Sequence, residues 1–192
     1  QMLSKGHHFP KLTLVGIVNA DQGLFGSDFR SDERLAQSIV QVAGRAGREE
    51  KPGSVLIQTA FPEHRFWDRL IHAGSPGVAA DALDERRKSG WPPHARLARL
   101  RASAHQRGDA IACLEAARRA AIGMALPALR VLGPVDAPLP RKAGRYRVQL
   151  LLESTDRAAL HRALRHVQGH LEDDPAARRA RWSIDVDPVQ LF

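Results

Sequence analysis

Residues 95–192 carry six successive strand and helix patterns, and their order permits few folds. Alternating or continuous apolar segments predict four strands, at residues 96–102, 130–132, 146–152 and 182–186. Apolar residues spaced three and four apart predict helices at residues 109–125 and 156–171, the second of them capped by Ser154 or Thr155. The order β-α-β-β-α-β predicts a small α+β domain of the ferredoxin-like (split βαβ) type.

Residues 1–94 predict strands that alternate with helices. The segment Thr13–Asn19 is apolar almost throughout, so we expect a buried strand there, followed by a helix at residues 33–43 and a strand at residues 53–60. Pro62 is expected to begin a helix, interrupted by Gly74-Ser75-Pro76-Gly77 and resumed at residues 78–88, with core positions at Phe66, Trp67, Leu70 and Ile71. Because Gly90-Trp91-Pro92-Pro93 cannot continue a helix, we predict three parts: residues 1–62, a helical connector at 63–94, and residues 95–192.

The string Gln41-Val42-Ala43-Gly44-Arg45-Ala46-Gly47-Arg48 places two arginines three residues apart behind a glutamine. In a helix, Arg45 and Arg48 would lie one turn apart and project from the same face. Guanidinium forks suit bidentate contacts with phosphate oxygens, and small neighbours leave that face accessible. Since two glycines in four residues are a poor choice for an ordinary basic helix, we interpret the string as a phosphate-binding element.

This string resembles motif VI of the superfamily 2 helicases, written Gln-x-x-Gly-Arg-x-x-Arg. Upstream, Lys5-Gly6-His7-His8-Phe9-Pro10 and the strand after it resemble motif V, with His8 where many members carry aspartate. Together with Asp28-Phe29-Arg30-Ser31-Asp32-Glu33-Arg34 and shorter matches up to the closing Asp185-Val186-Asp187-Pro188, these strings resemble one family along essentially the whole chain. That family is primosomal protein N′, the PriA-type replication-restart helicases of bacteria.

The resemblance implies an enzyme that hydrolyses ATP with Mg²⁺, unwinds DNA in the 3′-to-5′ direction at stalled or abandoned forks, and restarts replication by primosome assembly. It implies that Arg48 is the arginine finger facing the γ-phosphate, and that Arg45 is its companion on phosphate or on the facing acidic motif. Gln41, with Gly44, would bind and monitor the nucleotide. Coupling of the nucleotide to the DNA strand would involve Lys5, Gly6 and His7.

The chain lacks other parts of such a motor. No Gly-x-x-x-x-Gly-Lys-[Ser/Thr] phosphate loop occurs in the 192 residues, and the single cysteine, Cys113, cannot build the zinc insertion that the family carries. The sequence begins at Gln1, within motif V. We therefore expect a C-terminal fragment containing the last part of the second RecA-like motor lobe. ATP and Mg²⁺ would be bound mainly by the missing lobe, zinc would lie elsewhere in the parent protein, and the fragment alone would be inactive.

Basic charge is concentrated in the second half of the chain. Residues 95–192 hold 17 Lys/Arg against 10 Asp/Glu, whereas residues 1–94 hold 12 against 11. GC-rich codon usage would also raise the number of arginines. The excess of basic residues nevertheless favours binding to nucleic acid phosphates or to an acidic protein tail.

The best candidate for that contact is the segment Pro140–Arg147, where four cations lie within seven residues. A glycine, Gly144, permits close backbone approach, and the Tyr146 ring offers a stacking surface for an unpaired base. Strand alternation places Arg145 and Arg147 opposite that ring, so a solvated hairpin with a core tyrosine is an equal alternative. The residues that we expect to bind DNA or a partner are Arg141, Lys142, Arg145, Tyr146, Arg147 and, on the following helix, Arg157.

The expected partners are branched and single-stranded DNA, the acidic C-terminal tail of single-strand-binding protein, and other primosome proteins. A competing hypothesis is a non-enzymatic module that binds DNA or single-strand-binding protein and keeps only residual helicase motifs. His166 and His170 have a zinc-compatible spacing but no third ligand nearby, so we expect no metal site. The sequence has no signal peptide and no apolar run of about 18 residues, which predicts a cytoplasmic protein without a membrane partner.

Overall fold

The chain forms two units, and each of them mixes helices with strands. The computed structural model describes residues 12–26, 28–46 and 53–191. The first unit extends to Ser89 and the second begins at Gly90. The expected α/β class is therefore correct for the chain as a whole.

The first unit consists of β1 (Leu14–Ile17), α1 (Asp21–Leu24), α2 (Ser31–Ala43), β2 (Ser54–Ile57) and α3 (Arg65–Ser89). The two strands pair in parallel, with Val15 opposite Val55, so the chain between them must cross over, and α1 and α2 lie in this crossover. Their apolar residues pack with the first part of α3, in a core that includes Leu24, Ala36, Ile39, Phe66, Trp67 and Leu70.

The strands of this unit are present as predicted, but β1 is not buried along its whole length. Val15 is buried and Ile17 packs against the core, whereas Leu14 is 54% exposed on the other face. Leu56 of β2 is exposed as well. The strands of a parallel sheet are buried on both sides only where helices pack on both faces of the sheet. No described element covers the face that carries Leu14.

Three details of α3 differ from the prediction. The helix begins at Arg65 because Pro62 and Glu63 form a turn, and Ile71, expected in the core, is 75% exposed. The interruption lies at Gly74, whose φ of 64° and ψ of −167° are not helical. Helical structure resumes before Val78 and includes Pro76, which is tolerated because the first turn of a helix needs no N–H donor there.

The second unit contains six main elements in the predicted order: β3 (Arg96–Ala104), α4 (Arg107–Gly123), β4 (Leu129–Lys142), β5 (Arg145–Ser154), α5 (Arg157–Asp173) and β6 (Arg181–Val186). A short 3₁₀ helix, Ala177–Arg179, precedes β6. The strands form one sheet in the order β4-β5-β3-β6, and each neighbouring pair is antiparallel.

Helices α4 and α5 cover one face of this sheet. Strand alternation directs Leu100 of β3 and Val148 and Leu150 of β5 into the core, where they meet Leu114 and Leu160 of the helices. The intervening residues of the same strands lie on the opposite face. Among the described residues, no helix is long and apolar enough to cross a membrane.

The length of β4 and the cap of α5 differ most from the prediction, and the other boundaries differ by one or two residues. Strand β4 is fourteen residues long rather than three, because register shifts between Leu132 and Val135 and between Asp136 and Arg141 let it pass its prolines while still paired with β5. The cap of α5 is neither Ser154 nor Thr155. The Asp156 carboxylate instead accepts from the Ala158 N–H at 2.8 Å.

Candidate functional site

The residues with the helicase-like pattern lie where α2 ends. Gln41 is exposed in the last turn, and Gly44 is the C-cap that follows Ala43. The Arg45 N–H donates to the Val42 carbonyl at 3.1 Å, so the chain leaves the helix through a tighter turn. Half-buried Arg45 therefore follows the helix rather than lying in it, because Gly44 disfavours continuation.

The other predicted residues of this site lie outside the described residues. The shared face for Arg45 and Arg48 therefore stays a prediction, as do the roles given to the residues of motif V. The residues concerned are Lys5, Gly6, His7, His8, Gly47 and Arg48.

Asp28 organises the beginning of α2. Its carboxylate accepts from the Arg30 N–H at 2.9 Å and from Arg34 Nη1 at 3.3 Å, and its carbonyl accepts from Ser31 Oγ at 2.6 Å. Burial raises the pKa of the nearby Asp32 carboxyl, while His64 and Arg65 act in the opposite direction. This segment thus fixes the start of the helix whose other end carries Gln41, Gly44 and Arg45.

Arg86 of α3 holds α2 from the side. Its guanidinium is buried and pairs with the Glu33 carboxylate. It also lies 5.1 Å from the centre of the Phe29 ring, which Arg30 approaches to 4.3 Å. No local sequence pattern distinguishes Arg86 in this role.

Asp21 connects the segment after β1 to the segment after β2. Its carboxylate accepts from the Thr59 hydroxyl and from the Ala60 N–H, the latter at 2.9 Å. Alongside, the Ala20 N–H donates to the Gln58 carbonyl at 3.1 Å. The segment that follows β1 is thereby fixed to Gln58-Thr59, a relation that the sequence alone did not reveal.

The basic segment of the second unit is a hairpin. Strands β4 and β5 meet at a two-residue turn, Ala143–Gly144, with φ values of 49° and 74°. Arg141 pairs with Tyr146 across the strands, and its guanidinium lies 5.2 Å from the centre of that ring. Arg145 Nη1 is 3.0 Å from His105 Nε2. Tyr146 is half-buried, so it is neither a core residue nor a fully open stacking platform.

The structure does not bring Arg157 together with this hairpin. Arg157 begins α5, just beyond the far end of β5 from the turn. The strand has ten residues from Arg145 to Ser154, which separates the two places by roughly 30 Å at the usual rise of a strand. Any contact through Arg157 is therefore separate from one through the hairpin.

Metal-binding and nucleophilic groups contribute little to the described part of the chain. No group of three or more His, Cys, Asp or Glu side chains lies together there in a way that could hold a metal ion. Cys113 is fully buried, and burial, with a smaller effect of the Asp174 charge, raises the pKa of its thiol to about 11. This thiol is therefore protonated at neutral pH.

Comparison with known proteins gives consistent matches. A family model described as the primosomal protein N C-terminal domain matches residues 87–189. The replication restart protein PriA of Haemophilus influenzae is 43% identical over all of this chain, which covers 26% of that protein. The proteins of the same name from Bacillus subtilis and Treponema pallidum are 32% and 35% identical over the whole chain, which covers 24% and 29% of their lengths. The chain thus spans about a quarter of the length of these curated relatives.

Proposed function

Because this chain belongs to the primosomal protein N family, to which it is matched over residues 87–189, we propose that it acts within an ATP-dependent DNA helicase that restarts replication. The proposed activity is 3′-to-5′ unwinding at stalled or abandoned forks, followed by primosome assembly. One observation carries the proposal: a chain similar to PriA relatives over its whole length also presents Gln41, Gly44 and Arg45 together at the end of α2.

The proposal assigns a role to each unit. The first unit is the last part of a RecA-like motor lobe, which is supported by the parallel pairing of β1 and β2 across a helical crossover. The second unit is a ferredoxin-like domain, which is supported by its β-α-β-β-α-β order and by the antiparallel strand order β4-β5-β3-β6.

The phosphates of ATP are the proposed ligand at the end of α2. The chemistry of the donors fits, because guanidinium groups and an amide suit phosphate oxygens. Arg48 is the proposed finger at the γ-phosphate, with Arg45 as its companion and with Gln41 and Gly44 at the nucleotide. ATP with Mg²⁺ supplies the free energy of phosphoryl transfer. Most of its binding site, and the zinc of the family, would belong to other parts of the protein.

Coupling to DNA is assigned to both units. In the first, Lys5, Gly6 and His7 would link the state of the nucleotide to the DNA strand. In the second, the basic hairpin would contact branched or single-stranded DNA, the tail of single-strand-binding protein, or another primosome protein. The proposed contact residues are Arg141, Lys142, Arg145, Tyr146 and Arg147, with Arg157 as a separate contact.

The test is DNA-stimulated ATP hydrolysis by a full-length protein that carries these residues. We expect Arg48→Ala to lower kcat by roughly 10³–10⁵-fold, the usual contribution of an arginine finger, with a smaller loss for Arg45→Ala. Arg65→Ala is the matched control, because Arg65 is exposed on α3 and forms its ion pair with Glu85 of the same helix.

Near-normal turnover by a correctly folded Arg48→Ala variant would overturn the finger assignment. If the unmodified full-length protein binds DNA but shows no DNA-stimulated hydrolysis, the non-enzymatic binding module is the better explanation. That module is favoured by one feature of the structure, since the second unit has its own core and its own basic surface.

A further inference from the structure

The face of the four-stranded sheet opposite α4 and α5 carries arginines in register at one end. Arg147 of β5, Ser103 of β3 and Arg181 of β6 lie side by side across three strands. Two residues earlier on β3, Arg101 lies between Gln149 and Ser183 in the next row. These residues have the opposite parity to the core residues Ala102 and Val148, so their side chains share the face away from the helices.

The arginines and serines of these rows line a shallow groove of about 270 Å³, together with Ala137 of β4. Neighbouring strands are about 4.8 Å apart, so the Cα atoms of Arg147 and Arg181 are separated by roughly 10 Å. The strand rise places Arg101 roughly 7 Å along the sheet from their row. Three guanidinium groups thus surround a groove wide enough for a single extended polymer backbone.

The charge of this groove is not neutralised within the described part of the chain. There, the side chains of Arg101, Arg147 and Arg181 make no hydrogen bond or ion pair, and no carboxylate lines the groove. The next row shows the contrast: Arg99 donates to Asp185 at 2.9 Å and to the Leu191 carbonyl at 2.8 Å. Like charges on neighbouring strands repel, so the cluster lowers the stability of the free sheet and favours an anionic ligand.

We propose that this face, defined by Arg101, Ser103, Arg147, Arg181 and Ser183, binds the phosphate backbone of single-stranded DNA. The inference rests on the proposed function, because action on DNA is what identifies the anion as a phosphodiester. Guanidinium forks and serine hydroxyls are the usual donors to phosphate oxygens.

The groove would contact the phosphate backbone of the DNA and not its bases. Trp182 borders the groove, but it has the parity of the core residues and packs against the core. Tyr146 has the same parity, so neither ring is directed to the groove face as a stacking platform. Arg147 is two residues from Arg145, which makes the groove continuous with the basic hairpin. DNA bound at the hairpin would therefore extend across the sheet without sequence preference.

The test uses the full 192-residue chain and a dye-labelled single-stranded DNA oligonucleotide of mixed sequence, titrated by fluorescence anisotropy at several salt concentrations. The test variant is Arg101→Gln/Arg147→Gln/Arg181→Gln. The control, Arg119→Gln/Arg162→Gln/Arg178→Gln, removes the same charge from exposed positions in the helical layer. A third variant changes the three groove arginines to lysine, which keeps the charge if the glutamine variant does not fold.

We expect the glutamine variant to bind at least tenfold more weakly at low salt. The slope of its log association constant against log salt concentration should be smaller in magnitude by about 2. Each phosphate contact to a single strand contributes about 0.7 to that slope, and three contacts are removed. The control and the lysine variant should keep the original slope. Equal loss in the test and control variants would overturn the proposal, because the effect would then follow net charge alone.

Two further outcomes separate this proposal from its premise. If the unmodified chain binds DNA and the glutamine variant binds equally well, the sheet face is refuted while DNA binding elsewhere stands. If the unmodified chain does not bind DNA, the sheet face is refuted, whereas the proposed helicase activity is decided separately by ATP hydrolysis in the full-length protein. A labelled oligo-aspartate peptide, titrated in parallel, tests an acidic protein tail: loss of peptide binding with unchanged DNA binding would assign the face to a protein partner and overturn the proposal.

Discussion

Arg86 and Glu33 form an ion pair that joins α3 to α2 across 53 residues of sequence, and the Arg86 side chain is only 10% exposed. Its neighbour Arg87 is 67% exposed and pairs with Asp84 within its own helix. Two adjacent arginines thus have different roles, one between helices and one on the surface. The buried pair lies two turns before Gln41 on the same helix, so it holds the element that presents the proposed nucleotide contacts.

We predict that Arg86→Met weakens the attachment of α2. Removal of one partner leaves the Glu33 carboxylate largely buried without its counter-charge, which should cost about 2–4 kcal/mol. Amide hydrogen exchange along α2, followed by mass spectrometry in the full chain, should become correspondingly faster. Arg87→Met is the matched control and should leave the exchange of α2 unchanged. If Arg86→Met exchanges like the control, the pair does not stabilise α2.

The Cys113 thiol should give the stability of the second unit a dependence on alkaline pH. Its pKa is about 11 in the folded chain, against an ordinary value of 9.0. Below pH 9 the thiol is protonated in both states. Between pH 9 and 11 the unfolded chain loses this proton and the folded chain keeps it, so the free energy of unfolding falls by about 2–3 kcal/mol across that window.

Urea unfolding of the unmodified chain and of Cys113→Ala at several pH values measures this effect. The difference between their pH profiles isolates the thiol from other groups that titrate in the same range. The alanine variant should lose less stability between pH 9 and 11. Parallel profiles for the two proteins would show that the thiol is not protected from ionisation in the folded state.

Local sequence patterns were sufficient for the order of the longer elements, but the short helix α1 was not predicted. Alternation in β3 and β5 and the apolar spacing of α4 and α5 predict those elements to within a few residues. The length of β4 could not be found in this way, because its prolines look like a loop and only pairing with β5 keeps the segment extended.

The site residues that are contiguous in sequence could be predicted, whereas those that only the fold brings together could not. The string at the end of α2 and the basic hairpin are contiguous in sequence, so both are visible without a structure. Arg86 is not distinguishable from Arg87, because the break at Gly74 prevents the helical phase from being counted across it. Arg101 and Arg181 share a face only through the strand order β5-β3-β6, which no local pattern specifies.

Two helical glycines should respond in opposite directions to alanine. A Cβ atom at Gly77 in α3 would lie 2.4 Å from the Ala73 Cβ, so Gly77→Ala should destabilise the first unit by about 1–3 kcal/mol despite the better helix propensity of alanine. At Gly169 in α5 nothing lies within 4 Å of the added atom. Gly169→Ala should therefore stabilise the second unit by about 0.5–1 kcal/mol.

Hydrogen exchange of α3 and α5 in the full chain measures both glycine effects, since each helix reports on its own unit. Protection should decrease in α3 for the first variant and increase in α5 for the second. A stabilised α3 in Gly77→Ala would mean that the Ala73 contact relaxes at little cost, which would contradict the close packing at the Gly74 break.

The turn of the basic hairpin carries a residue that is poorly suited to it. Ala143 has a φ of 49° and Gly144 a φ of 74°, the left-handed pair that two-residue hairpins require. Glycine adopts this region freely and asparagine tolerates it, whereas the Cβ atom of alanine is too close to the following carbonyl oxygen there. We predict that Ala143→Asn raises the stability of the second unit by about 0.5–1 kcal/mol, while Ala143→Val lowers it because a β-branched residue is the least tolerated there.

Thermal unfolding followed by circular dichroism should show Ala143→Asn with a Tm higher by roughly 2–8 °C, as expected for a unit of this size. The substitution leaves the charges of Arg141, Lys142 and Arg145 in place, so the affinity for single-stranded DNA should be kept or improved. A lower Tm for Ala143→Asn than for the unmodified chain would contradict the left-handed turn. A lower DNA affinity with a higher Tm would instead mean that the hairpin must deform when it binds.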